Sequence, residues 1–149
     1  MLIRIAELKD VDQIATFQLN MAYESESTTL NYKTLQAGVA AIIADSNKGT
    51  YLVAENNSQL IGCLMITKEW SDWKNSWYWW IQSAYVEPNW RQQGIFTAMY
   101  NTVKKMAAND GACSVRLYVD KTNINAQSAY KKLGMTDSHY FIYEIQLSK

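Results

Sequence analysis

The residues best placed to do chemistry fall in two short stretches. In "VEPNWRQQGIFTAMY", Val86 to Tyr100, the only proline of the chain, an arginine and a lone glycine stand immediately before an apolar helical stripe. A helix that starts on a glycine turn offers unpaired backbone N–H groups and the positive end of its dipole, which together favour an anion. In "NINAQSAYKKLGM", Asn123 to Met135, an asparagine suited to cap a helix is followed by Tyr130 and then Gly134. A phenol can donate a proton to a leaving group when it is held close to it. Carboxylates that could take a proton or attract a cation are Glu24 and Glu26, between two helical stripes, and Glu69, at the end of a strand-like run. His139, the one histidine, reads as a structural or surface residue of the last strand.

Two familiar phosphate loops do not fit the first stretch. A P-loop needs Gly-Lys-Ser/Thr at the helix start, and Gly94 is followed by Ile95 and Phe96. The dinucleotide fingerprint needs three glycines with an acidic residue about twenty positions later, and only Gly94 is present.

The elements that must position these residues follow from periodicity. Leu2, Ile3 and Ile5 give a first strand, and Asp10 is a suitable N-cap for a helix carrying Ile14, Phe17 and Met21. Leu35, Val39, Ile42 and Ile43 mark a second helix, with Gly49 expected to take the positive φ of its stop. "TYLVAEN" and "QLIGCLMITKEW" read as strands joined at Asn56–Asn57, and "SWYWWIQSAYV" as the next strand. A helix then runs to about Asn109 with Gly111 as its stop, followed by the strand "ACSVRLYV", a short helix from Asn125 to Leu133, and a closing strand "HYFIYEIQL". The order is β-α-α-β-β-β-α-β-α-β. Hairpin-linked strands are antiparallel, and the strand, helix and strand from Ser76 to Val119 make a right-handed parallel unit. An α/β (α+β) fold with a mixed, mostly antiparallel sheet and helices on both faces is expected.

Composition limits the function classes. At 149 residues one domain, 1–149, is expected. Lys+Arg and Asp+Glu are equal at 14 each, so no broad basic field exists to steer the protein to nucleic acid or an anionic membrane. Cys63 and Cys113 lie in apolar strand-like runs rather than a metal-ligand cluster, which predicts buried thiols, a reducing compartment and no metal. The N-terminus has no apolar signal core, and no apolar window approaches the length of a membrane span, so a cytoplasmic location is expected.

Both motifs resemble those of the GCN5-related N-acetyltransferases (GNAT), whose pyrophosphate loop has the form Arg/Gln-x-x-Gly-x-Gly/Ala after a Val-x-Pro strand end. Val86, Pro88, Arg91 and Gly94 match, and Phe96 stands at the second small position. The family's later motif, Asn-x-x-Ala-x-x-x-Tyr-x-x-x-Gly-Phe, matches at Asn123, Ala126, Tyr130 and Gly134, with Met135 in place of phenylalanine.

The resemblance implies an acetyl-CoA-dependent transfer of acetyl to a primary amine, expected to be a small-molecule amine, by direct attack in a ternary complex. It implies that backbone groups of Arg91, Gln92, Gln93, Gly94, Ile95, Phe96 and Thr97 hold the pyrophosphate. The Tyr85 and Val86 backbone would meet the pantetheine and thioester, Asn123 would contact the cofactor, and Tyr130 would protonate the leaving thiol. Many relatives carry a glutamate on the fourth strand, where this chain offers Gln82, so the base is sought elsewhere, with Glu69 as the candidate. Glu24, Glu26, Trp70, Trp77 and Gln82 are the acceptor-site candidates. The exposed share of the tryptophans, Trp70, Trp73 and Trp77, fits either an acceptor pocket or the interface of a homodimer. Other readings of the same fold are transfer from another acyl-CoA, a protein amine as acceptor, or a CoA-binding sensor without turnover.

Overall fold

A computed structural model describes residues 1–148. They form two compact units, Met1–Tyr118 and Val119–Lys149. In the first, the apolar alternation resolves into a five-stranded sheet. Its strands are β1 (Leu2–Ile5), β2 (Thr50–Asn56), β3 (Gln59–Ser71), β4 (Ser76–Val86) and β5 (Ser114–Leu117), in spatial order β1-β2-β3-β4-β5. The first three ladders are antiparallel, and β4 pairs with β5 in parallel, as the crossover through a helix requires.

Two helices, α1 (Val11–Glu26) and α2 (Tyr32–Ala44), cover one face. Ile14, Ala15, Phe17 and Val39 meet Tyr51, Val53, Cys63 and Tyr85 in a closed apolar cluster. Phe17 is fully buried, and a side chain of that size removed from water contributes about 2–3 kcal/mol. The third helix, α3 (Ile95–Asn109), covers the opposite face through Ile95, Met99, Val103 and Ala107. Burial around the Cys63 thiol pushes its pKa up to about 12, so it is an inert core group.

Several local expectations are corrected. Asp10 does not cap α1 with its side chain: it is buried, accepts the Glu7 N–H at 2.8 Å, and is held by Arg4 through bonds of 2.8 and 3.0 Å. The ion pair ties β1 to the turn before α1, a stronger use of a buried carboxylate than a cap. Gly49 is not a helix stop, because α2 ends at Ala44. It enters β2 instead, where an added Cβ would lie 2.9 Å from the Ile66 carbonyl oxygen. The β2–β3 turn is Asn57–Ser58 rather than Asn56–Asn57, since Asn56 pairs with Gln59. Both turn residues have positive φ, 49° and 64°, the geometry that matches strand twist in a two-residue hairpin. Cys113 is exposed, standing one residue before the β5 ladder begins, whereas Cys63 is buried.

In the second unit, α4 spans Ile124–Lys132, and Gly134 follows with φ 91°. The expected closing strand over His139–Leu147 is not formed. The apolar pattern is present, but a strand also needs a neighbouring backbone to bond, and these residues join no ladder. Among the described residues no helix is long and apolar enough to cross a membrane.

Candidate active site

The ladder between β4 and β5 covers only Tyr78–Ile81 against Ser114–Leu117. Beyond Ile81 the rest of β4, Gln82–Val86, keeps β3 on one side and has no β5 partner on the other. A bulge falls in this stretch. Between the Met65–Gln82 and Cys63–Tyr85 pairs, β3 advances two residues and β4 three, and Ser83 takes φ 55°. Bulges of this kind re-aim the strand that carries them.

A buried amide braces the bulge. Gln18, on the apolar face of α1 and 4% exposed, donates Nε2 to the Ser83 carbonyl at 2.8 Å and lies 3.3 Å from Cys63 Sγ. Gln18 carries no motif that marks it in the sequence. The available signal was a polar residue inside the stripe formed by Ile14, Ala15, Phe17 and Ala22.

After the bulge, Tyr85 turns toward α1. Its ring sits 5.2 Å from Phe17 and its hydroxyl donates to Glu24 Oε1 at 3.3 Å. Burial first, and then the Glu24 and Glu87 charges, raise the Tyr85 pKa, so the phenol stays protonated at neutral pH. Arg91 closes the group: Nη2 donates to Glu24 Oε2 at 2.7 Å and Nε to the Val86 carbonyl at 2.9 Å. Both partners of this ion pair are partly exposed, so it contributes at most about 1 kcal/mol to stability. Its consequence is positional, because it holds a carboxylate and the strand-end carbonyl together.

The loop from Pro88 to Gly94 then delivers the helix start. Pro88–Trp90 makes one tight turn, Gln92 takes φ 61°, and Gln93 Nε2 donates to the Asn89 carbonyl at 2.9 Å. Gly94 takes φ 79°, and nothing stands within 4 Å of where a Cβ would be. The first helical bond of α3 runs from the Ala98 N–H to the Gly94 carbonyl, which leaves the opening turn of amides directed out of the helix. Ile95 is buried and anchors the turn, while the Phe96 ring stacks along the helix on Tyr100 at 6.3 Å, away from Gly94. Gln92, Gln93 and Thr97 are exposed.

Glu24, Tyr85, Val86, Arg91 and the loop 92–97 are thus brought to one end of β4. Gln82 stands at the point where the β5 ladder stops, its amide donating to Thr67 Oγ1 at 2.7 Å. Glu26 is the last residue of α1 and exposed. Glu69 and the tryptophans lie elsewhere. Glu69 pairs across from Tyr78, seven residues along β4 from Tyr85, which is roughly 20 Å at about 3.3 Å per residue. There it accepts the Trp80 Nε1–H at 2.9 Å. Trp70 and Trp77 pack edge to face at 4.9 Å at the hairpin end, still farther from Val86, and Trp73 stands 90% exposed at its tip.

Within the C-terminal unit, Asn123 caps α4 by accepting the Ala126 N–H at 3.1 Å. Tyr130 is half-buried, and burial raises its pKa, so its hydroxyl remains a donor at neutral pH. Among the described residues no three His, Cys, Asp or Glu side chains cluster as metal ligands.

A strand end free of β5 runs into a helix start whose opening amides are directed outward, an arrangement that favours an anion. Residues 10–135 match the model of the acetyltransferase (GNAT) family. The chain belongs to the GNAT acetyltransferases. A crystal structure of a possible acetyltransferase from Clostridium difficile 630 is 38% identical, with TM-score 0.93 over 99% of this chain and 98% of that one. A predicted acetyltransferase from Clostridium acetobutylicum, solved with acetyl-CoA, is 22% identical, with TM-score 0.79 over 97% and 95%. An aminoglycoside acetyltransferase from an uncultured soil metagenomic sample is 18% identical, with TM-score 0.77 over 99% and 98%. A comparison with curated proteins finds no match. The mixed sheet with helices on both faces is therefore the fold of this GNAT domain and of its structural neighbours.

Proposed function

We propose that this GNAT acetyltransferase moves the acetyl group of acetyl-CoA onto a primary amine of a small molecule, by direct attack in a ternary complex. The observation that carries the reading is the stretch Gln82–Val86, paired with β3 but past the end of the β5 ladder, leading into the Gly94 helix start. In this reading the amides of residues 92–97 take the pyrophosphate, and the free edge of β4 at Tyr85 and Val86 bonds the pantetheine and the thioester oxygen. Such preorganised donors stabilise charge as it develops on the carbonyl.

Glu24, which accepts from the Tyr85 hydroxyl and from Arg91, serves the acceptor's ammonium. A lysine-like amine is neutral only about once in a few thousand at pH 7, a cost of roughly 4–5 kcal/mol, so the amine must lose a proton before its nitrogen attacks. Arg91 now neutralises Glu24. A pyrophosphate at the loop competes for that guanidinium, so CoA binding frees Glu24 for the acceptor and favours CoA binding first. When the neutral nitrogen bonds the carbonyl carbon, the C–S bond breaks and the thiolate takes a proton, while the nitrogen releases one of its own that returns through water to the donor. By the motif on α4, the thiolate's proton comes from Tyr130, with Asn123 on the cofactor. Glu69 is given no role as base, because it lies roughly 20 Å along the strand from Tyr85.

A second reading has one observation in its favour. Gln82–Val86 carries no carboxylate, and Gln82 is tied to Thr67, which fits a CoA-binding sensor without turnover. Thiol release from acetyl-CoA, measured against polyamines, aminoglycosides and a peptide with a free N-terminus, separates these readings. Release only with small amines supports the proposal. CoA binding without release supports the sensor, release with the peptide alone supports a protein acceptor, and no CoA binding defeats all of them.

A further inference from the structure

The face of the sheet that α3 covers holds a cavity away from the strand end described above. In the β3–β4 ladder Ile66 stands opposite Ile81 and Lys68 opposite Trp79, and residues directly opposite share a face. Ile5 of β1, Ile66, Trp77, Trp79 and Met106 of α3 wall a space of about 460 Å³. Small-molecule sites run to about 300–1,000 Å³ and are mostly apolar with a few placed polar groups. Every wall residue belongs to the unit Met1–Tyr118. Met106 and Asp110 lie roughly 18–24 Å along α3 from Gly94, at about 1.5 Å per residue, so this cavity is separate from the loop 92–97.

The polar groups in the wall are unevenly matched. Trp79 is 4% exposed, and its Nε1–H is closed off from solvent with no hydrogen-bond partner among the described residues. A buried donor left unpaired carries a desolvation cost that an acceptor would remove. The Lys68 ammonium lies 4.5 Å from the centre of the same ring and donates to Asp110 at 3.2 Å. Both ends of that ion pair are partly exposed, so the ammonium can exchange its partner at little cost. Ser46 and Thr50 bring hydroxyls to the same wall. The unmet group is therefore a donor, the charge beside it is positive, and the surface around both is apolar. An anionic acceptor on an apolar body is the complement.

We propose that this cavity binds a small monocarboxylate with an apolar body. Its carboxylate is taken by the Lys68 ammonium and the Trp79 N–H, and its ring or chain lies against Ile5, Ile66, Trp77 and Met106. The Lys68 side chain is the part that moves, leaving Asp110 to follow the incoming carboxylate and letting it reach the indole N–H. A charge-assisted bond of this kind is roughly twice as strong as a neutral one, so the anion is preferred to an uncharged carbonyl of the same shape. The proposal does not depend on the acetyl transfer proposed above.

The test uses the full chain, with phenylpropanoate, its carboxamide and phenylpropylamine as probes in titration calorimetry. The carboxylate should bind with Kd below about 1 mM, and the amide and the amine at least about tenfold more weakly. Lys68→Met keeps an apolar side chain of similar length without the charge. It should weaken the carboxylate by roughly tenfold or more and leave both the amide and CoA within about twofold. In a nitrogen–proton correlation spectrum of the unaltered chain, one indole N–H among the six tryptophans should move downfield as the carboxylate is added, and Trp79→Phe should remove that signal. No binding of phenylpropanoate up to roughly 10 mM overturns the proposal. So do equal affinities for the three probes, an undiminished affinity in Lys68→Met, and displacement of the carboxylate by CoA. If Trp79→Phe fails to fold, the Lys68→Met titration decides the matter alone.

Discussion

Gly94→Ala offers a sharp test of the pyrophosphate loop, because the structure contains its own control. Gly94 and Gly111 stand at the two ends of α3 with nearly the same backbone, φ 79° and 74°, and neither has an atom within 4 Å of an added Cβ. An L-residue in the left-handed region costs about 1–2 kcal/mol, partly offset by about 0.4–1 kcal/mol from the stiffer unfolded chain. Both variants should therefore melt a few degrees lower, at about 2–4 °C per kcal/mol for a chain of this size. They should differ in CoA affinity. At position 94 the relaxing turn moves an amide aimed at the diphosphate, and a bond to a charged group contributes about 1.5–3 kcal/mol, or roughly 10–150-fold in Kd. Gly111 lies about 25 Å away, at about 1.5 Å per helical residue, and should leave Kd within about twofold. Calorimetric titration with CoA beside a melting curve reads both quantities. Equal Kd values for the two alanine variants, with equal melting shifts, refute the assignment of the anion to this helix start.

Three other perturbations probe the groups around it. Arg91→Ala should change stability by less than about 1 kcal/mol, since its pair with Glu24 is partly exposed, yet raise the apparent KM for acetyl-CoA in the thiol-release assay; an unchanged KM removes Arg91 from cofactor binding. For Asp10, burial pushes the carboxyl up, but the Arg4 bonds, the Glu7 N–H and the Arg4 charge outweigh it, so its pKa lies below the usual value. A depressed folded pKa gives stability that is present above the unfolded value near ~3.9 and lost as pH falls through the folded one. Urea melts should therefore show Asp10→Asn about 3 kcal/mol less stable at pH 7, with the gap to the parent closing below about pH 4. Gln18→Leu strands the Ser83 carbonyl and should cost about 1–3 kcal/mol. Ser83→Gly, which relaxes φ 55°, should be milder in the Gln18→Leu background than an additive loss allows.

What sequence patterns could and could not reveal here follows from which quantities are local. The glycine that starts α3, the asparagine that caps α4 and the alternation that builds the sheet are set by residues within a few positions of one another, and each stands where its spacing puts it. Glu69 shows the limit. Its carboxylate has the right chemistry and a plausible strand, but its distance from Val86 depends on hairpin register, which pairs it with Tyr78 and sends it to the far end of β4. Alternation reports a residue's face, never its height along the strand. The bulge at Ser83 is nonlocal in the same way, since the amide that braces it comes from Gln18, sixty-five residues earlier. Glu24 was legible as a carboxylate in a loop, but its position beside Tyr85 and Arg91 required α1 to pack across β4. The last strand is the extreme case. Its pattern was read from nine residues, whereas whether it becomes a strand depends on an edge to pair with, and the period of a segment carries no record of that edge.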